Sequence, residues 1–252
     1  KTLFPYTTLF RSEGLRKLGV RKGDRVALIL PNCPQHVVAF YAVLRLGAVV
    51  VEHNPLYTAR ELRHLFEDHG ARVVVAWDAA VEKLREQPSD IQLDRIVAVN
   101  LLKAFPLVKR AALRLPIGRL RETRARLTRP APGTMPWEEL LSAPRIDAGH
   151  PRPAALDLAV IQYTSGTTGQ PKGVILTHRF LIDNAQRLID SMDVKPGMEY
   201  LSYIAPSWAT EQIYGITMGL GLPMVVNFPE GPEQVLSNIR ELAVEGMTFA
   251  PR

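Results

Sequence analysis

The sequence predicts an α/β fold in which mostly parallel sheets are flanked by helices. Short apolar runs alternate with helical stretches of about 12 residues, which is the spacing of right-handed βαβ units. The 252 residues, 46% of them hydrophobic, suffice for a packed core in one large domain or two small ones. No apolar run reaches the roughly 18 residues of a spanning helix. The single cysteine, Cys33, excludes an internal disulfide and fits a reducing compartment.

The first half of the chain reads as a series of strands and helices. A helix ending at Gly19 precedes predicted strands at residues 25–30, 48–51 and 72–76. The helices between these strands are predicted at residues 34–46 and 58–69. Thr58 and Glu61 have the spacing of a capping box, which marks the start of the second of these helices.

Residues 1–12 differ in their residue pattern from the sequence that follows. The string TLFPYTTLFRS, residues 2–12, has no clear helical or strand period, and a helical pattern is already under way at Glu13. The string is similar to the translation of a sequencing-library adapter. We therefore predict that residues 1–12 are non-native and that the fold occupies residues 13–252. The alternative is a genuine extended arm.

A basic insert lies at about residues 101–129. Between Lys103 and Arg129 there are nine cations and one acid, Glu122, so this segment carries +8 and the rest of the chain −2 of the net +6. The segment is predicted to be helical and amphipathic, with breaks at Pro106 and Pro116, and a linker is predicted at about 129–157. Two interpretations stay open: a solvated helix surface, or contact with anionic membrane.

The second half of the chain continues the same alternation. Predicted strands lie at residues 158–163, 174–177, 200–204 and 224–226, with another beginning at Met247. Predicted helices lie at residues 178–191, 211–220 and 232–244. Gln162 is expected to end a strand, and Gly166 to Lys172 to lie in an exposed loop at its carboxyl edge.

The loop after the strand at 158–163 carries the chemistry. Residues 164–173, TSGTTGQPKG, hold four hydroxyl side chains, several glycines and Lys172. Glycine allows close backbone approach to a ligand, and N–H groups, hydroxyls and the lysine suit phosphate oxygens. The loop is not a Walker A motif, because Gly173 follows the lysine and a strand follows the loop. A plain hairpin turn would not need this composition.

The run YTSGTTGQPKGVILTH, residues 163–178, closely resembles the phosphate-loop signature of the adenylate-forming superfamily. That superfamily comprises acyl-CoA synthetases, luciferases and peptide-synthetase adenylation domains. The resemblance covers most of residues 13–252, and NPLYTARELRHLFEDHGA in particular is similar to long-chain fatty acid–CoA ligases. It implies an incomplete large N-terminal domain, with the catalytic residues and the small C-terminal domain expected downstream of Arg252.

The resemblance also implies a reaction and its ligands. In the family, a fatty acid carboxylate attacks the α-phosphate of ATP to give acyl-AMP and pyrophosphate, and the thiol of CoA then displaces AMP. Mg²⁺ accompanies the nucleotide. The residues implied to hold the ATP phosphates are Thr164, Ser165, Gly166, Thr167, Thr168, Gly169 and Lys172. The fragment alone is expected to be inactive.

The segment at residues 205–215, APSWATEQIYG, departs from many relatives because it lacks their aromatic–histidine pair. Its W-x-x-E-Q pattern resembles another long-chain subgroup, in which this helix lines the acyl tunnel. The implied pocket residues are Trp208, Gln212, Tyr214 and Gly215. An equally supported interpretation is that Trp208 is an anchor packed in the core. The two sides of the phosphate loop thus resemble different subgroups, which leaves open whether they come from one gene.

The sequence leaves three functions open. The first is a long-chain fatty acid–CoA ligase in the cytoplasm or at the inner face of the membrane. The second is another adenylate-forming enzyme, such as an aryl-CoA ligase or an adenylation domain. The third is a non-catalytic basic protein that binds membrane or nucleic acid. The phosphate loop argues against the third, and the absence of interleaved aromatic and basic residues argues against nucleic acid. The histidines show no metal-like clustering, so no metal ligand is predicted.

Overall fold

A computed structural model describes residues 4–164, 171–229 and 231–249. The chain divides into two compact units, residues 1–153 and 154–252. The boundary lies inside the segment expected to be a linker, 129–157. That segment is not wholly a linker, since it also contributes a short strand and a 3-10 helix to the first unit.

The first unit contains five parallel strands in the order β5-β4-β3-β1-β2. Its strands are β1 Arg25–Ile29, β2 Val49–Glu52, β3 Val73–Trp77, β4 Arg95–Val99 and β5 Met135–Pro136. The first three strands are nearly continuous runs of buried residues, as expected for a parallel sheet covered on both faces. The predicted parallel architecture is confirmed, and β4 and β5 were not predicted.

Six helices accompany this sheet among the described residues. They are α1 Phe4–Lys17, α2 Pro34–Arg45, α3 Ala59–His69, α4 Val81–Arg85, α5 Leu107–Ala112 and α6 Gly118–Leu127. The predicted capping box is present, because Thr58 Oγ1 accepts from the Glu61 amide at 3.3 Å and Glu61 Oε2 accepts from the Thr58 amide at 2.7 Å. Short 3-10 helices at Asp78–Ala80, Leu101–Ala104 and Trp137–Ser142 complete the unit.

Helix α1 begins inside the segment that showed no helical period. Thr8, Arg11 and Ser12 are buried, and the Arg11 guanidinium lies 4.4 Å from the centre of the Trp137 ring. The alternative of an extended arm was therefore wrong, because these residues belong to a helix. No helical period is visible in the sequence since this helix buries polar side chains, so no apolar stripe marks its inner face. The proposed adapter origin of residues 1–12 is a separate question and stays a prediction.

Two histidines form a directional hydrogen-bond relay in the core of the first unit. The Val51 carbonyl can only accept, so His53 donates to it from Nδ1 at 3.1 Å. The Ala71 amide donates to His69 Nδ1 at 3.0 Å, so His69 carries its hydrogen on Nε2. That group donates to His53 Nε2 at 3.0 Å. Both rings are thus neutral, and both lie against Phe66.

The second unit combines an antiparallel hairpin with a small parallel sheet. The hairpin consists of β6 Leu158–Thr164 and β7 Lys172–Thr177, and helix α7 His178–Ser191 follows it. The parallel sheet has the order β10-β8-β9, with β8 Glu199–Leu201, β9 Val225–Asn227 and β10 Gly246–Met247. The hairpin departs from the parallel pattern because its connection is too short for a crossover helix.

The remaining helices of the second unit include a widened turn. Helix α8 Ala209–Glu211 runs into a π-helical segment, Gln212–Thr217, and then into α9 Met218–Gly221. Helix α10 Val235–Glu241 follows a 3-10 turn at Pro232–Gln234. The helices predicted at 211–220 and 232–244 are confirmed in position, and the second is shorter than predicted. No helix in the described part of the chain is long and apolar enough to cross a membrane.

Candidate functional site

The phosphate loop is carried by the β6–β7 hairpin. Thr164 ends β6 and Lys172 begins β7, and the two residues are partners in the antiparallel register. Both are exposed. The other predicted phosphate-binding residues lie outside the described ranges; they are Ser165, Gly166, Thr167, Thr168 and Gly169. The hairpin therefore brings the two described members, Thr164 and Lys172, to the same end of the ladder.

Two details of the predicted loop need correction. The strand continues to Thr164 and does not end at Gln162, and Lys172 is the first residue of β7 and not a loop residue. The reason is the hairpin itself: antiparallel pairing extends the ladder as far as Thr164 and Lys172 on both strands. The lysine is exposed, as expected, so its ammonium group is accessible to a ligand.

The hairpin is packed tightly behind its open end. A β carbon at Gly173 would lie 3.0 Å from Ile161 Cγ2 and 3.5 Å from the Tyr163 ring. Such a contact is tighter than ordinary van der Waals packing. This packing explains why residue 173 is glycine, since any larger residue would push against the neighbouring strand.

Gln162 links the hairpin to the segment that carries the predicted acyl pocket. Its side chain is buried, and Nε2 donates to the carbonyl oxygen of Ser207. Gln212 is fully buried and donates from Nε2 to the carbonyl oxygen of Pro206 at 3.2 Å. The two amides therefore donate to adjacent carbonyl oxygens of the turn at 206–207. Within the described residues, Oε1 of each glutamine has no hydrogen-bond partner.

The four predicted pocket residues lie on one short segment but differ in exposure. Trp208 is 48% exposed, so its reading as a core anchor is not supported by the structure. Gln212 and Gly215 are buried and Tyr214 is half-buried. Within the π-helical turn, the hydroxyl of Thr217 donates to the carbonyl oxygen of Gln212 at 2.7 Å. Single π-helical turns are frequent at functional sites.

Glu211 is a buried acid that the sequence reading passed over. It is 1% exposed, and Tyr200 donates from its hydroxyl to Glu211 Oε2 at 3.4 Å. Burial raises the pKa of this carboxyl to about 8, although hydrogen bonds from Ser202 and Tyr200 oppose the rise. The carboxyl is therefore mainly neutral near pH 7. The sequence feature that could have indicated this burial is Gly215, four residues later, which faces Glu211 on the helix.

Known proteins match most of this chain in sequence. The profile of the family described as "AMP-binding enzyme" matches residues 11–252. A long-chain-fatty-acid–CoA ligase of Bacillus subtilis is 35% identical over 218 residues, which cover 83% of this chain and 37% of the relative. A 4-coumarate–CoA ligase of Oryza sativa is 35% identical over 182 residues, covering 71% of this chain and 27% of the relative.

Solved structures show the same fold. The apo structure of MbtA from Mycobacterium smegmatis superposes with a TM-score of 0.78 at 22% identity, covering 98% of this chain and 42% of that one. In the sequence comparisons, the chain spans about a third of the length of the curated relatives it matches. The match over residues 11–252, together with the phosphate-loop signature carried by the β6–β7 hairpin, shows that this chain belongs to the AMP-binding enzyme family.

Proposed function

We propose that this chain supplies the phosphate-binding part of a long-chain fatty acid–CoA ligase. The observation that carries the proposal is the hairpin, which ends in the exposed pair Thr164 and Lys172 on either side of a loop rich in glycine and hydroxyl residues. A lysine point charge beside a short Gly/Ser/Thr loop suits the β- and γ-phosphates of ATP. The five loop residues from Ser165 to Gly169 would supply further donors.

The role of the chain's residues is to bind and orient. Lys172 would neutralise phosphate charge, and the buried amide of Gln162 would keep β6 fixed against the turn at 206–207. Mg²⁺, when bound with ATP, would supply further charge neutralisation at the phosphates. The described residues contain no group of three or more His, Cys, Asp or Glu side chains that could hold a metal ion.

The helix at 208–215 is proposed to contact the acyl chain. Trp208 exposes an apolar ring, and Gln212 and Gly215 lie deeper on the same segment. The Bacillus subtilis relative supports a long-chain fatty acid as substrate, with CoA as the thiol acceptor. The Oryza sativa relative keeps an aryl acid as the second candidate.

A direct test uses the full-length protein with ATP, Mg²⁺ and CoA and a panel of acids. Palmitate is expected to give acyl-CoA and AMP faster than octanoate or 4-coumarate. Trp208→Ala should raise KM for palmitate more than KM for ATP, because it removes apolar contact area from the acyl site alone. Preference for 4-coumarate would favour the aryl-CoA ligase. Absence of AMP formation with every acid would refute the ligase proposal.

Peripheral contact with anionic membrane at the cytoplasmic face is proposed as a second property. It is supported by the charge of +8 between Lys103 and Arg129 and by the exposure of α5 and α6, in which no residue is buried. A membrane-bound ligase would meet its acyl substrate where such substrates are concentrated.

A further inference from the structure

The basic insert folds around a cavity. The 3-10 turn Leu101–Ala104, α5, α6 and the residues after α6 line an open cavity of about 510 Å³. We call it the arginine cavity. Its cationic lining residues are Lys103, Arg110, Arg114, Arg121, Arg124 and Arg129. Six cations from one 27-residue segment therefore line the same cavity.

In the described part of the chain, no carboxylate lines the arginine cavity. Two acids contact residues of its lining. Glu82 Oε2 is 3.7 Å from Arg129 Nη1, with both side chains largely exposed. The Asp78 carboxylate accepts hydrogen bonds from the Thr128 hydroxyl and the Arg129 amide. A concentration of arginines without carboxylates favours a compact anion such as a phosphate group.

Exposed apolar side chains lie in the same segment of chain as the residues that line the cavity. Leu107 and Val108 of α5 are 76% and 83% exposed, and Leu115 and Ile117, between α5 and α6, are 49% and 52% exposed. We call these four residues the apolar collar. Leu107 precedes Arg110 by one helical turn, and Leu115 directly follows Arg114. Apolar and cationic side chains thus alternate along one short segment.

This combination favours a bilayer over a soluble anion or a nucleic acid. A soluble phosphate compound would satisfy the arginines but leave the apolar collar in water. Single-stranded nucleic acid is usually bound by stacking on aromatic rings. Between residues 101 and 129 the sequence has one aromatic, Phe105, and Lys109 Nζ lies 5.5 Å from its ring centre. An interfacial bilayer contact satisfies both groups, because head groups are anionic and the acyl boundary is apolar.

We propose that the basic insert docks the protein on membranes that contain anionic phospholipid. A head-group phosphate occupies the arginine cavity, and the apolar collar enters the interface beside it. This inference deepens the membrane contact proposed above and does not depend on the ligase reaction. A Lys172→Ala variant should therefore bind vesicles as well as the wild type, even if it loses ATP-dependent activity.

The test is flotation of the full chain with phosphatidylcholine vesicles, with and without phosphatidylglycerol. Binding is expected only with phosphatidylglycerol, and it should weaken as salt is raised. The double variant Arg121→Glu with Arg124→Glu should bind at least about tenfold more weakly, since each lysine or arginine near an anionic surface contributes about fivefold. Leu107→Ser with Val108→Ser should also weaken binding, although the net charge is unchanged.

The matched control reverses two exposed arginines outside the insert, Arg60→Glu with Arg187→Glu, which changes net charge by the same amount. Equal loss of binding in this control would overturn the proposal, because net charge alone would then explain flotation. Equal binding to pure phosphatidylcholine would overturn it too. So would full competition by inorganic phosphate together with an unaffected serine variant, since the cavity would then be a site for free anions. Circular dichroism checks that each variant is folded.

Discussion

A β carbon at Gly215 would lie 1.8 Å from Oε1 of Glu211, one helical turn earlier. Oε1 has no hydrogen-bond partner among the described residues, and the carboxyl is almost fully buried. The carboxyl thus occupies space that exists only because residue 215 is glycine. A neutral acid, a missing side chain and a π-helical turn coincide on the segment proposed to contact the acyl chain.

Gly215→Ala is expected to destabilise the protein by about 1–3 kcal/mol, the usual cost of overpacking a filled core. The added methyl group forces Glu211 away from Tyr200, whose Cε1 would itself lie 3.2 Å from the new atom. Urea unfolding measures the change. Gly219→Ala on the same helix is the control, since its β carbon would meet Val226 at 3.3 Å and should cost less. Adding Glu211→Ala should rescue part of the loss; no rescue would contradict the proposed contact.

Glu211 should also make stability fall as pH rises. Burial raises the pKa of the folded carboxyl to about 8 from 4.5. Between these values the folded state holds a proton that the unfolded state has lost, so stability declines by at most about 1.4 kcal/mol per pH unit. Glu211→Gln should flatten this part of the curve of unfolding free energy against pH. The exposed Glu241→Gln should not, and an unchanged slope in Glu211→Gln would refute the assignment.

The His53–His69 relay should act in the opposite direction, at acid pH. Burial lowers the pKa of His53 to about 4 and, together with the His53 and Arg25 charges, that of His69 to about 2. Below the ordinary value of 6.5 the unfolded state binds protons that the folded state refuses, so stability is lost as pH falls. His69→Gln should make the acid loss shallower, whereas His64→Gln, outside the relay, should keep it. Chemical unfolding between pH 7 and pH 4 decides.

Much of this fold could be predicted from sequence, because β1, β2 and β3 are short apolar runs separated by amphipathic helices. The capping box at Thr58 and Glu61 is a local signal and was read correctly. Strand β4 was not recognised because its buried residues alternate with partly exposed ones and it begins at the exposed Arg95. Helix α1 lacked a visible period because it buries Arg11 and Ser12.

The candidate site likewise contains some features that the sequence predicts and others that only the structure reveals. The phosphate loop is a continuous string, so the phosphate-binding role of Thr164 and Lys172 could be predicted from sequence alone, and it stays a prediction. The position of Lys172 in β7 depends on hairpin register, which local composition does not determine. Glu211 was missed because a glutamate in a helix is usually solvated, and only packing against Tyr200 and Gly215 reveals that it is buried.

Lys172→Ala in the full-length enzyme should weaken ATP and pyrophosphate binding by about 1.5–3 kcal/mol, as expected for one lost charge-assisted contact. Fatty acid affinity should change much less, because the lysine lies at the exposed end of the hairpin. Calorimetric titration with pyrophosphate and with palmitate measures both. The control is Lys195→Ala, which removes an exposed lysine paired with Asp193. Equal losses for both ligands would indicate that Lys172 is structural.

The last prediction is that residues 13–252 on their own form no acyl-CoA. This chain matches 37% of the length of the Bacillus subtilis relative. The family resemblance assigns the adenosine-binding aspartate, the magnesium-side glutamate and the catalytic lysine to parts outside this match. Binding of phosphates alone does not orient a carboxylate for attack, and orientation can supply about 7–11 kcal/mol of a barrier.

The assay combines purified residues 13–252 with ATP, Mg²⁺, palmitate and CoA, and uses Lys172→Ala as the blank. Circular dichroism and a thermal shift with pyrophosphate verify that the protein is folded and that the phosphate loop is competent. Pyrophosphate should raise the melting temperature of the wild type and not of the variant, while neither makes acyl-CoA. Acyl-CoA formation above the blank would show that these residues already position the carboxylate and the adenosine.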